Sequence, residues 1–186
     1  MPRVSRERAK ANRAAVVQAA SELLRERGAA GVTVEAVSSR AGLTHGGFYK
    51  QFETKDALLS EAIALASQQR RDAVAATISE HGSAARAVLA NWYLSLEHRD
   101  NPGSGCAVAA LVGDVTIQHG GPLRSGYLNA LDDLISAVSA SSGTDGIAAV
   151  ALMVGALELA RATAGTALSD KFLRTAREQL RVHGEL

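Results

Sequence analysis

The sequence predicts an all-α protein of about nine helices, with a three-helix helix-turn-helix head over residues 1–54 and a larger helical body over 55–186. Three observations predict it. Apolar residues recur at i, i+3, i+4 and i+7 in almost every segment, and no alternating strand pattern of useful length occurs. Alanine, the best helix former, is abundant. Only three prolines are present, at positions 2, 102 and 122, so long stretches are free to be helical.

The first helix spans 6–27, with Val16, Ala19, Ala20, Leu23 and Leu24 on one face. Gly28 supplies a left-handed stop. Thr33 is an N-cap, with Glu35 in the first turn where the helix dipole favours it. Val34, Val37 and Ala41 form the buried stripe of a short second helix, and Gly42 breaks it. Thr44 caps a third helix, with Phe48 and Phe52 facing inward. Thr54 caps a long helix over 55–79 that joins head to body. Helical patterns follow over 84–97, 106–118, 123–140, 147–168 and 170–182. They are separated by breaks at His81-Gly82-Ser83, at 99–105, at His119-Gly-Gly-Pro122 and at 141–145. Residues 3–10 form a basic arm, read either as a frayed terminus or as a DNA contact.

Composition narrows the function classes. Hydrophobic residues make up 47% and charged residues 21%, values that exclude disorder and fibrous repeats. The lone Cys106 forbids an intrachain disulfide and suits a reducing compartment. The first ten residues lack an apolar stretch, so no signal peptide is expected. The longest apolar run, 147–157, is far short of the roughly 20 residues of a membrane span. A soluble, cytoplasmic protein without membrane association is expected. The net charge of +1 hides an asymmetry: residues 1–55 carry +5 and residues 56–186 carry −4. A basic head on an acidic body points to a polyanionic partner for the head.

Residues 33–52, TVEAVSSRAGLTHGGFYKQF, read as helix, glycine turn, short helix. Gly42 lets two helices meet steeply, and Val37, Ala41, Leu43, Phe48 and Phe52 lock the angle from inside. Arg40, Thr44, His45, Tyr49 and Lys50 are left outside, offering hydroxyls, an imidazole and cations. Gly46 and Gly47 leave bare backbone near the start of the third helix, where exposed amides attract phosphate. These are the properties of a recognition helix that enters a major groove.

The segment resembles the signature of the tetracycline-repressor (TetR/AcrR) family of bacterial transcriptional regulators. The matching residues are Thr33, Val34, Val37, Ala41, Gly42, Leu43, Thr44, Gly46, Tyr49, Phe52, Lys55 and Leu58. The resemblance covers about residues 10–60, and the remainder fits by length and helix count. Ser38 stands where the family has alanine, Gln51 where it has histidine, and Gly47 where many members carry a side chain. The resemblance implies that Thr33, Arg40, Tyr49 and Lys55 hold phosphates. It implies that Thr44, His45, Gly46 and Lys50 approach base edges, Lys50 being the candidate for guanine O6/N7, with Gly47 bare beside them.

One short recognition helix makes too few contacts for specific binding, so a homodimer on a palindromic double-stranded operator is expected. The pairing stripe expected on the helix at 147–168 is Ala148, Ala151, Leu152, Gly155, Ala156, Leu159 and Ala160, joined by the last helix. The competing reading makes this helix the monomer's own core. The resemblance also implies a pocket for a small-molecule effector in the body, with Trp92, Tyr93, Leu96, Cys106, Ala110, Tyr127, Leu131 and Met153 as candidate lining. Ordinary core packing is the competing reading for each. The function expected is a ligand-responsive DNA-binding regulator, a repressor released by its effector.

Two other readings are open. Cys106 starts a helix, a position that favours thiolate and would suit a sensor of oxidants or electrophiles; a small core cysteine is the alternative. A helical ligand-binding protein without DNA binding is a further class, opposed by Tyr49, Lys50 and Lys55. An enzyme using Cys106 with His98 or His119 as base lacks any supporting motif. No catalytic residue, metal site or cofactor is expected, because the five histidines show no ligand spacing and no phosphate-cradling loop occurs.

Overall fold

The computed structural model describes residues 2–117, 120–142 and 146–182, and among these there are helices and turns but no strand. The head is α1 (Pro2–Gly31), α2 (Val34–Ala41) and α3 (His45–Tyr49). The linking helix is α4 (Lys55–His81), and the body continues with α5 (Ala85–Tyr93), α6 (Leu96–Asp100), α7 (Ala107–Ile117) and α8 (Gly121–Ser142). It closes with α9 (Ile147–Ala162) and α10 (Ala167–Val182). All nine expected helices are present. The one expected over 84–97 is divided, because Ser95 starts α6 as its N-cap, accepting from the His98 amide. The basic arm is helical and continues α1. Of the expected breaks, His119 and residues 143–145 lie outside the described residues.

Local chemistry explains the head. Thr33, Thr44 and Thr54 each cap a helix, accepting from the amides of Ala36, Gly47 and Ala57 at 3.1, 3.3 and 3.2 Å. Gly42 ends α2 in the left-handed region (φ 67°, ψ 30°), its amide reaching back to the Ser38 and Ser39 carbonyls. Gly28 also has positive φ (69°), yet α1 resumes beyond it. The interruption is held by Asp114 of α7, which accepts from the Ala29 amide at 3.2 Å. A Cβ at Gly28 would lie 2.6 Å from that carboxylate.

One apolar cluster runs through the molecule, from Val16 and Leu24 through Phe48, Phe52 and Leu58 to Leu111, Leu157 and Leu180. α1 packs on α4 and on α7, so it belongs to both head and body. α4 crosses α8 closely at Gly126, where a Cβ would meet Ile63 at 2.4 Å. No helix among the described residues is long and apolar enough to cross a membrane.

Candidate functional site

The head presents one polar face. Phe48 and Phe52 are buried beneath it, as their spacing predicts, and fix α3 against α1 and α4. The successor of Phe48 therefore points the other way: Tyr49 is 59% exposed, its ring 5.6 Å from that of His45. Thr44, His45, Gly46, Lys50 and Lys55 are exposed beside it, and neither lysine has an ion-pair partner among the described residues. Gly46 has open space where a Cβ would stand, while Gly47 is half-buried and lies against Thr44. Thr33 and Thr44 spend their hydroxyl oxygens on caps, which leaves the hydroxyl protons to donate outward. Thr33, Thr44, His45, Gly46, Tyr49, Lys50 and Lys55, seven of the nine residues expected to face DNA, are thus exposed.

Arg40 is placed differently. Both guanidinium nitrogens bind Glu26 of α1 at 2.8 Å, and Glu22 lies 3.7 Å away. The fork expected to hold phosphate is occupied within the chain. This hydrogen-bonded pairing holds the Glu26 carboxyl below its ordinary range and raises Arg40. The pair ends a polar chain that sequence reasoning missed. Arg25 donates to Gln69 of α4, Gln69 to Gln18, and Gln18 to Glu22, at 3.3, 2.8 and 2.7 Å. Arg13 was also missed. It donates to the Gln51 carbonyl and pairs with Glu61, with its guanidinium 4.1 Å above the Phe52 ring. It clamps the α3–α4 turn.

In the body, a cavity of about 190 Å³ lies between α4, α7 and α8, with Arg70, Val74, Cys106, Val108 and Leu134 in its wall. A smaller one of about 60 Å³ adjoins it at Arg70, with Tyr93, Met153 and Leu180. A third, of about 360 Å³, opens on the other side of Arg70 along Trp92 and Gln69. Of the expected lining, Trp92, Tyr93, Cys106 and Met153 reach these cavities. Leu96 instead is 51% exposed, because Ser95 turns the chain before it. Ala110, Tyr127 and Leu131 line none of the three and pack around the α7–α8 core. Arg70, the side chain common to all three, was missed: two adjacent arginines, 70 and 71, on a long helix give no sign of which one faces the cavities.

The wall behind Cys106 is polar and fixed. The Cys106 amide donates to His98 Nε2 at 2.9 Å, so Nδ1 carries the proton and donates to the Tyr93 carbonyl at 2.7 Å. Burial, aided by Arg161 and Arg70, lowers the His98 pKa to about 3, against the Tyr93 carbonyl bond, which raises it. The imidazole faces the Cys106 backbone with both nitrogens satisfied, so His98 does not serve as base to that thiol. His119 lies outside the described residues. Cys106 itself is 4% exposed.

α9 separates its small residues onto two faces. Ile147, Ala148, Ala151, Leu152 and Leu159 are exposed and Gly155 is half-buried, forming one apolar stripe. Ala156 and Ala160 face the opposite way, into the monomer's core, at 6% and 0% exposure. These two are therefore removed from the expected pairing surface.

Residues 16–62 match the model of the bacterial regulatory proteins of the tetR family. No curated protein sequence matches the chain significantly. Among solved structures, reduced NemR from Escherichia coli is similar at 17% identity and TM-score 0.74, covering 92% of this chain and 95% of that one. A TetR transcriptional regulator from Chloroflexus aurantiacus is similar at 20% identity and TM-score 0.74, covering 95% and 96%. FadR from Bacillus subtilis, solved in complex with stearoyl-CoA, is similar at 19% identity and TM-score 0.59, covering 91% and 97%.

Proposed function

From its tetR-family head at residues 16–62, we propose that this chain is a ligand-responsive, sequence-specific DNA-binding regulator that acts as a homodimeric repressor in the cytoplasm. The observation that carries the reading is the short α3. It is capped by Thr44 and seated on Phe48 and Phe52, and it turns His45, Gly46, Tyr49 and Lys50 outward together. A helix so placed can enter a major groove with its N-terminal backbone unobstructed at Gly46. Lys50 then reaches base edges, while Tyr49, Lys55 and the Thr33 hydroxyl meet phosphates. The exposed stripe of α9 supplies a two-fold contact, and pairing two heads gives a palindromic operator its second half-site. The division of labour follows the fold: residues 1–54 bind DNA, and residues 55–186 pair and take the effector.

α4 carries Lys55 at the DNA face and Arg70 at the cavities, about 22 Å apart at 1.5 Å per residue. An effector that shifts α4 alters the spacing of two heads, and reciprocal linkage requires that it bind the DNA-free form more tightly. The likeness to ligand-bound FadR lends support to a body that houses small molecules.

The test is a salt titration of binding to the DNA upstream of the chain's own coding region, against a scrambled duplex of equal length. Preference for the upstream DNA is expected. Tyr49→Ala with Lys50→Ala should abolish that preference, and Lys55→Ala, which removes a phosphate-neutralising charge, should flatten the log–log salt slope by about 0.9. An unchanged preference in a folded double variant would overturn the interface.

A further inference from the structure

Arg70 is half-buried among apolar side chains, on the wall shared by the three cavities. Its guanidinium lies 4.0 Å from the centre of the Trp92 ring, and its Nε is buried without a hydrogen-bond partner. No carboxylate among the described residues pairs with it. The one acid lining the three cavities, Asp133, is already held by Arg71 at the rim. Burial lowers the Arg70 pKa, and the groups that oppose this are only the Cys106 thiol and the Tyr93 phenol. Tyr93 is the second observation. It is 3% exposed, its hydroxyl has no oxygen or nitrogen partner and only the Cys106 thiol, a weak one, beside it, and it lines the 60 Å³ cavity that meets the 190 Å³ cavity at Arg70. Arg25, close by, is buried, and its own Nε is unpartnered.

A half-buried cation without a counter-charge, its Nε closed off from solvent, beside a buried phenol, is matched by an anion that accepts hydrogen bonds. The guanidinium fork matches a carboxylate, and a phenol can donate to the same group. The wall of the 190 Å³ cavity is otherwise mostly alanine, valine, isoleucine and leucine, with Ser67, Cys106 and the Arg71–Asp133 pair among them. The cavity's 190 Å³ equals the liquid volume of roughly six waters, room for a short apolar body.

We propose that the cavity between α4, α7 and α8 binds a small organic monocarboxylate, its acid group held by Arg70 and Tyr93 and its apolar body lying against Val74, Val108 and Leu134. This rests on the reading of the body as the effector domain and names the class of effector. The stacking of Arg70 on Trp92 alone is the competing explanation, and it makes a different prediction. Stacking needs no ligand and shows no preference between an acid and its amide.

Trp92 is the chain's only tryptophan, so its emission reports directly on Arg70. The full chain is titrated with the straight-chain acids from acetate to decanoate and with benzoate, each against its primary amide. Expected are a saturable change in Trp92 emission and a raised melting temperature for at least one acid, with its amide weaker by roughly tenfold or more. Arg70→Met and Arg70→Gln, each verified as helical by circular dichroism, should lose that acid binding to a similar extent. An amide that binds as well as its acid, an Arg70 variant with unchanged affinity, or no response to any acid of the series overturns the proposal. The acid–amide comparison on the unaltered chain holds even if both variants fail to fold. Operator binding is followed separately. Arg70-dependent acid binding that leaves the DNA complex intact upholds this site and refutes its role as the effector. Release of DNA by the amides alone does the reverse.

Discussion

His98 illustrates how a single buried side chain sets the chemistry of its neighbourhood. It is 1% exposed, and both ring nitrogens are bound to backbone, which ties the end of α5 to the start of α7. Gly105 makes room for it, since a Cβ there would come within 2.8 Å of the ring. With its pKa lowered from 6.5 to about 3, His98 stays neutral in the native state over the range in which the unfolded chain takes up a proton. Stability should therefore fall as pH drops from about 6.5 towards 3, by at most about 1.4 kcal/mol per pH unit from this residue. Urea unfolding between pH 7 and 4.5 checks it. His98→Gln should be less stable at pH 7 and should lack that share of the slope; equal slopes would assign the pH dependence to other groups.

At the scale of elements, one ion pair and one helix face carry consequences. Glu26 of α1 holds Arg40 of α2 by both nitrogens. Glu26→Gln should release that fork toward DNA, tightening binding at low salt and steepening the log–log salt slope by about 0.9 for the additional phosphate neutralised. An unchanged slope would mean that Arg40 already leaves Glu26 when DNA binds. On α9, Leu152 sits in the exposed stripe, so Leu152→Glu should leave the monomer folded and convert dimer to monomer in light scattering. A variant that remains dimeric would place the pairing surface elsewhere. What could be read beforehand follows from range. The three threonine caps and the Gly42 stop are interactions within four or five residues, and the sequence displays them directly. The Arg40–Glu26 pair depends on how α1 crosses α2, and Arg70 depends on which face of α4 meets α5. Neither angle is written in the local pattern. α9 is apolar nearly all round, so periodicity could not separate Leu152, outside, from Ala156 and Ala160, inside. Leu96 departs from its expected place for a related reason: the cap at Ser95 breaks the helical phase carried forward from Trp92 and Tyr93.

The whole molecule has one continuous apolar core, and α1 is shared between its two ends. Head and body should therefore unfold together. Trp92 emission, which reports the body, and far-ultraviolet helicity, which reports the whole chain, should give coincident denaturation curves. Two separated transitions would show that α1 parts from α4 and α7 first. The polar chain from Arg25 through Gln69, Gln18 and Glu22 to Arg40 lies along the same seam, so a displacement of α4 reaches the head through hydrogen bonds as well as packing.

The break in α1 at Gly28 bears on how such a protein can be re-engineered. Its positive φ is kept beside Asp114, a residue of the body more than eighty positions away, which accepts from the Ala29 amide. A chimera carrying residues 1–54 on a foreign body would lose that carboxylate. It would also leave Leu23, Leu24 and Ala29 facing a surface shaped for other side chains. Operator preference is therefore better altered by replacing His45, Gly46 and Lys50 in place than by exchanging heads, since these three are exposed and hold none of the seam together.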